Sequence, residues 1–87
     1  KIITNNGEFD LVNNREFSSY QNQRVSIFCM NREVKVSSSG LKYELKGYSF
    51  NNLYGATLNE ATGKSFCVSC DDPDVSILVY RGNEETK

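Results

Sequence analysis

Residues 65–80 read Ser-Phe-Cys-Val-Ser-Cys-Asp-Asp-Pro-Asp-Val-Ser-Ile-Leu-Val-Tyr, and this stretch decides the fold class. Residues 65–68 and 75–80 are rich in Val, Ile, Phe and Tyr, which is typical of β-strands. The acidic segment between them contains the only proline of the chain, Pro73, and proline lacks the amide N–H that a strand interior needs. The stretch therefore predicts two strands joined by a loop.

Outward from this stretch, the same pattern recurs about every ten residues along the chain. Further strands are predicted around residues 9–11, 17, 25–29, 34–36, 41–45, 48–50 and 56–58. Residues 25–29 and 34–36 form a predicted hairpin, and residues 37–40 a predicted break. Since the chain has only two alanines and no helical pattern, we expect residues 1–87 to form a single all-β domain. Its predicted architecture is a small antiparallel barrel or a two-sheet sandwich of about eight short strands.

Charge and composition exclude several classes of function. Ten Lys and Arg residues against 11 Asp and Glu give a net charge of −1, so no basic surface is expected to bind nucleic acid. No apolar stretch approaches the roughly 20 residues that span a bilayer, so no membrane span is predicted. Histidine is absent, which removes the usual general base and the commonest zinc ligand. We therefore predict that the protein is not an enzyme and needs no cofactor or metal.

Three cysteines, Cys29, Cys67 and Cys70, leave two alternatives open. A disulfide between Cys29 and either Cys67 or Cys70 would stabilise so small a domain by roughly 4 kcal/mol in the chain-entropy model. Alternatively, all three are reduced thiols in a cytosolic protein. Cys67 and Cys70 have C-x-x-C spacing, but the loop that follows does not suit a redox motif, and no second ligand pair is available for zinc.

One motif is similar to a known family. Residues 39–43, Ser-Gly-Leu-Lys-Tyr, followed by Tyr48, Phe50 and residues 55–58, resemble the signature of bacterial c-type lysozyme inhibitors. The resemblance implies an extracytoplasmic or secreted protein of the periplasm or cell surface, its signal peptide removed. It also implies a loop that inserts into the cleft of a protein partner, a c-type lysozyme. The implied partner-binding residues are Ser39, Gly40, Lys42, Tyr43 and Lys46.

In that hypothesis Ser39 donates a hydrogen bond to the catalytic carboxyl groups of the enzyme. Gly40 allows close approach of the loop, and Tyr43 braces it from the adjoining strand. Lys42 or Lys46 supplies positive charge toward the carboxylates.

Two alternatives compete with the inhibitor hypothesis. The spacing from Tyr48 to Gly55, together with residues 71–76, resembles the βγ-crystallin domain, which implies a weak calcium site at Asp71, Asp72 and Asp74. The other alternative is a surface-recognition domain of unknown target. Its predicted secondary patch consists of aromatic and amide side chains, Tyr48, Asn51, Asn52 and Tyr54.

Overall fold

The computed structural model describes residues 2–29, 33–47 and 56–83. The strands are β1 (Ile2–Ile3), β2 (Gly7–Val12), β3 (Asn14–Ser18), β4 (Arg24–Phe28), β5 (Val36–Ser39), β6 (Ala56–Glu60), β7 (Ser65–Cys70) and β8 (Ile77–Gly82). The described residues include no apolar helix long enough to cross a membrane. Every element named in the described residues is a strand, which confirms the all-β prediction.

The strands form two antiparallel sheets. One has five strands in the order β1-β2-β8-β4-β6, and the other has three in the order β3-β7-β5. In the first sheet, β8 lies between β2 and β4 and pairs with β2 over its whole length, from Gly7 opposite Gly82 to Val12 opposite Ile77. The architecture is the predicted two-sheet sandwich.

The core lies between the two sheets because strands alternate inward and outward side chains. The five-stranded sheet contributes apolar residues of β4 and β8, and the three-stranded sheet contributes the stacked rings of Phe17 and Phe66, whose centroids are 5.1 Å apart. The largest fully buried side chains are Phe17, Phe66, Ile27, Ile77, Val25, Val36, Val68 and Val79.

A partly buried ionic cluster joins the sheets at one side of the core. The Arg81 guanidinium is 2.8 Å from a Glu8 carboxylate oxygen and 3.0 Å from one of Asp10. The guanidinium also lies over the ring of Phe17, 4.8 Å from its centroid. Arg15, from the outside, is equally close to that ring and 4.0 Å from Asp10.

Four predictions about strands and their connections need correction or lie outside the described residues. The predicted hairpin of residues 25–29 and 34–36 is wrong, because β4 and β5 belong to different sheets. Residues 37–40 are not a break, since β5 continues to Ser39, and residues 41–45 form a loop with one bridge, Leu41 to Ala61. The strand predicted at residues 48–50 lies outside the described residues.

Cys29, Cys67 and Cys70 are free thiols in the structure, which agrees with the second of the two alternatives and not with a disulfide. Cys29 is buried in the core. Cys67 lies between buried Phe66 and buried Val68 in β7, so its side chain projects from the opposite face of that strand. Cys67 and Cys29 are therefore directed to different sides of the three-stranded sheet.

Several loops meet at one end of the sandwich. The amide of Asn22, in the β3–β4 loop, donates to the carbonyl of Ala61 at 2.8 Å, and the amide of Thr62 donates to that of Gly40 at 3.0 Å. The amide of Asn83 donates to Asn6 O at 2.8 Å, which brings the end of β8 to the β1–β2 turn. This end of the molecule contains both sites described below.

Candidate functional site

The loop that follows β5 is folded around one carboxylate. Glu44 accepts hydrogen bonds from the Ser38 hydroxyl at 3.0 Å, the Gly40 amide at 3.0 Å and the Leu41 amide at 3.2 Å. Bonds to a charged acceptor are stronger than neutral ones. The loop from Gly40 to Glu44 is thereby closed on itself, and we call it the Glu44 loop.

The side chain of Asn59 bonds to both backbone groups of Tyr43, and we call this arrangement the Asn59 clamp. The side chain of Asn59 in β6 accepts from the Tyr43 amide at 3.0 Å and donates to the Tyr43 carbonyl at 2.8 Å. The same side-chain oxygen accepts from the Glu60 amide at 3.0 Å. Asn59 is 5% exposed, so these bonds are shielded from water. Both polar groups of the Tyr43 backbone are therefore fixed by one buried amide.

Gly40 permits the loop to lie close to the three-stranded sheet. Its φ is +85°, a conformation that residues with a side chain rarely adopt. A Cβ at this position would be 2.6 Å from the carbonyl oxygen of Ser65 and 3.0 Å from the Cα of Phe66. Glycine is required here for its backbone conformation and for its lack of a side chain.

The result of these restraints is an exposed aromatic ring on a fixed backbone. Tyr43 is 59% exposed, one of four large hydrophobic side chains in the described residues that are exposed to water. The ammonium of Lys42 is 5.3 Å from the centroid of the Tyr43 ring. A tyrosine ring attracts cations through the negative charge of its π face, so this surface suits a flat, positively charged ligand.

The predicted partner-binding residues lie in or beside this loop. Ser39 ends β5, Gly40, Lys42 and Tyr43 belong to the Glu44 loop, and Lys46 is exposed just beyond it. That these residues contact a ligand stays a prediction. Sequence reasoning missed Glu44 and Asn59, which shape the loop. The available signal was Asn59 itself, an amide in a strand, where asparagine is disfavoured.

The predicted calcium ligands serve the backbone instead. A carboxylate oxygen of Asp71 accepts from the Lys35 amide, and one of Asp72 accepts from the Asp74 amide, both at 2.9 Å. Among the described residues, no group of three or more acidic, cysteine or histidine side chains is placed to hold a metal ion. The predicted patch of Tyr48, Asn51, Asn52 and Tyr54 lies outside the described residues.

Comparison with known families decides what this domain is. The sequence model of the family described as "Thiamin pyrophosphokinase, substrate-binding domain" matches residues 7–80. The chain belongs to this family. The match runs from β2 to β8 and includes the whole Glu44 loop and Asn59.

A solved structure has the same fold as this thiamin pyrophosphokinase substrate-binding domain. It is the thiamine pyrophosphokinase from Bacillus subtilis, with a TM-score of 0.74 and 11% sequence identity. The alignment covers 95% of this chain but 40% of the Bacillus chain, so the present sequence spans less than half the length of that protein. No curated protein matches the sequence.

The family match corrects four predictions. The chain is neither a lysozyme inhibitor nor a βγ-crystallin module, and a lysozyme partner is wrong for the same reason. The extracytoplasmic or secreted location was implied by the inhibitor resemblance and is overturned with it. The prediction that the protein is not an enzyme is also wrong, because the family is named for a kinase, of which this chain matches the substrate-binding domain. The misleading motif, residues 39–43, is the segment that builds the Glu44 loop.

Proposed function

We propose that residues 1–87 act as one β domain that binds thiamine on the exposed face of Tyr43, as part of a longer thiamin pyrophosphokinase. The observation that carries the proposal is the fixed, exposed ring of Tyr43, whose backbone amide and carbonyl are both bonded to Asn59. The family to which the chain belongs is described as substrate-binding, which supports a ligand site in this domain.

The chemistry of thiamine fits this surface. Thiamine joins a positively charged thiazolium ring to an aminopyrimidine ring, and both rings are flat. A cation over an aromatic ring gains about 0.5–2 kcal/mol, with the larger values where water is excluded. The ammonium of Lys42 lies 5.3 Å from the Tyr43 centroid, so the thiazolium must displace this ammonium or approach the other face of the ring.

Rigidity of the loop adds to this fit. A binding surface that is held before the ligand arrives loses less conformational entropy on binding. The bonds from Glu44 to the Gly40 and Leu41 amides, together with the Asn59 clamp, provide this order in the domain without ligand. We propose that the domain binds the thiamine rings and does not itself transfer the pyrophosphate group.

Calorimetric titration of the 87-residue chain with thiamine tests the proposal. Tyr43→Ala is expected to weaken binding about tenfold, since a contact worth about 1.4 kcal/mol corresponds to that factor. Tyr43→Phe retains the ring and is expected to keep most of the affinity. Lys64→Ala, an exposed change outside the Glu44 loop, is the control and is expected to bind as the parent does.

The parent chain must also distinguish thiamine from an uncharged analogue. Replacing the thiazolium with a neutral thiazole removes the cation and is expected to weaken binding by a similar factor. Equal binding of thiamine by the parent and Tyr43→Ala chains would show that the ligand site lies elsewhere.

A further inference from the structure

A cavity separate from the Glu44 loop lies at the same end of the sandwich. It has a volume of about 670 Å³ and lies between the β1–β2 turn, the β3–β4 loop and the end of β8. This volume is within the range of about 300–1,000 Å³ that is usual for small-molecule sites. None of the residues that line it belongs to the Glu44 loop, so its function is independent of the one proposed above.

Side-chain amides dominate the wall of this cavity. Five of its lining residues carry a carboxamide, two are tyrosines, and the guanidinium of Arg24 is the one charged group among them. The carboxamides belong to Asn5, Asn6, Gln21, Asn22 and Asn83. A carboxamide offers both donors and acceptors, and no carboxylate is present among these lining residues.

Neighbouring carbonyl groups fix which atoms of the wall can accept hydrogen bonds. The Tyr80 hydroxyl is 2.9 Å from the carbonyl oxygen of Asn6, and since a carbonyl only accepts, the phenol must donate its proton there. The Tyr80 oxygen is left with lone pairs that accept. In the same way, Nδ2 of Asn83 donates to Asn5 O at 3.1 Å, which identifies Oδ1 of Asn83 as its acceptor atom.

Gly82 lines the cavity, and its lack of a side chain keeps space open there. The backbone conformation at this position does not itself require glycine. Gly82 has no positive φ, so a residue with a side chain could adopt its conformation. A Cβ at Gly82 would lie 3.3 Å from the Cβ of Arg24 and 3.8 Å from the Tyr80 hydroxyl, two groups that line the cavity. The missing side chain leaves space between the guanidinium stem and the phenol.

From this wall we infer a binding site for a neutral ligand with adjacent hydroxyl groups, the vicinal diol of a sugar. A hydroxyl both donates and accepts, so it can satisfy the acceptors of Tyr80 and Asn83 together with the donors of the carboxamides. An inorganic phosphate ion carries only one or two O–H donors among mainly acceptor oxygens near neutral pH, so it matches the lone pairs of the phenol and the amide oxygen less well than a diol does.

The vicinal diol could belong to a free sugar or to the ribose of a nucleoside, and a titration separates these sources. The 87-residue chain is labelled with ¹⁵N, and its side-chain amide resonances are followed with D-ribose, adenosine, 2′-deoxyadenosine and inorganic phosphate. We expect saturable shifts of the Asn22 and Asn83 amides with D-ribose and adenosine. We expect binding about tenfold weaker with 2′-deoxyadenosine, which lacks one of the two hydroxyls. Tighter binding of adenosine than of ribose would assign the site to nucleosides, and equal binding would assign it to free sugars.

Two glycine variants make the test specific. Gly82→Ala places a methyl group in the cavity and is expected to weaken diol binding about tenfold. Gly63→Ala is the matched control, because a Cβ there meets nothing within 4 Å, and it is expected to bind as the parent does. Thermal unfolding of each variant tests whether it is folded. The thiamine affinity of both variants is expected to equal that of the parent. Tyr80→Phe, which removes the acceptor oxygen, supplies the same comparison if Gly82→Ala does not fold.

Three results would overturn the inference. They are the absence of saturable shifts with ribose and adenosine, equal binding of adenosine and its 2′-deoxy analogue, and a stronger response to phosphate than to either diol. None of them bears on thiamine binding at Tyr43, which the calorimetric titration tests separately.

Discussion

Asn59 and Arg81 are polar side chains placed among apolar ones, and each is bonded to specific partners. Asn59 is matched by neutral backbone groups of Tyr43 and Glu60, whereas Arg81 is matched by the carboxylates of Glu8 and Asp10. A buried polar group costs free energy when its partners are removed, and a buried charge costs more. We therefore expect substitutions of the two residues to lower the free energy of unfolding by different amounts.

Removal of the Asn59 side chain is expected to affect both stability and binding. Asn59→Ala deletes the hydrogen bonds to the amide and carbonyl of Tyr43 and to the amide of Glu60. We expect a loss of about 2–3 kcal/mol in the free energy of unfolding, measured by urea denaturation, and weaker thiamine binding. Asn14→Ala, an exposed change in β3, is the control and should alter neither quantity. Unchanged thiamine affinity in folded Asn59→Ala would show that the clamp does not position Tyr43 for binding.

The two arginines beside Phe17 provide an internal comparison. Each guanidinium is 4.8 Å from the Phe17 centroid, but the side chain of Arg81 is 13% exposed and that of Arg15 is 49% exposed. We expect Arg81→Ala to cost about 3 kcal/mol, because it leaves the buried carboxylate of Asp10 without its main partner. Arg15→Ala is expected to cost less than about 1 kcal/mol, as an exposed ion pair does. Equal costs in denaturation experiments would mean that contact with the ring, and not ionic pairing, determines the contribution of Arg81.

At the scale of elements, the Glu44 loop shows where sequence patterns fail. Leu41 and Leu45 are buried while Lys42, Tyr43 and Glu44 are exposed, and residues 41–45 alternate in sequence as a strand does. What decides the conformation is the set of hydrogen bonds to Glu44 and Asn59, and the second of these comes from a strand 16 residues away from Tyr43. Hydropathy alternation carries no information about such long-range bonds. The Ser-Gly-Leu-Lys-Tyr motif therefore locates the site in the sequence, but it does not predict the conformation of the loop.

Two glycine substitutions are expected to have opposite effects on this end of the molecule. Gly40→Ala forces a side chain into a positive φ and against the Ser65 carbonyl, so we expect a loss of about 1–3 kcal/mol and displacement of the loop. Gly63→Ala meets open space and is expected to be neutral or to stabilise by up to about 1 kcal/mol. Thermal unfolding, with the thiamine affinity of each variant, distinguishes them. A Gly40→Ala chain as stable as Gly63→Ala would contradict the strain assigned to Gly40.

For the whole molecule, the sequence predicts the fold class well and the strand pairing poorly. The strands around residues 9–11, 25–29, 65–68 and 75–80 were predicted because Val, Ile and Phe recur with turn residues between them. Pairing depends on contacts between distant segments, such as β2 with β8, which local patterns do not reveal. For this reason β4 and β5, neighbours in sequence, were predicted as a hairpin although they lie in different sheets.

The free thiols predict how the whole domain responds to reduction. Since Cys29, Cys67 and Cys70 form no disulfide, dithiothreitol is expected to leave the unfolding temperature unchanged. A thiol titration in denaturant should find three reactive groups per chain. A control sample oxidised beforehand with copper phenanthroline shows that the assay detects the loss of thiols. A lower unfolding temperature on reduction of the untreated chain would reveal a cross-link and restore the alternative of a disulfide.

The position of β8 between β2 and β4 also has a consequence for how the chain is made. During translation β1, β2, β4 and β6 all leave the ribosome before β8, so the pairs β1–β2 and β4–β6 are not joined to each other until β8 inserts between them. Pairing of segments about 70 residues apart is slow, because a long loop must close before any contact forms. The five-stranded sheet is therefore completed only when β8 is added. Until Ile77–Gly82 has been released, the apolar residues of β4 that pack in the finished core stay exposed, which favours recognition of the nascent chain by chaperones.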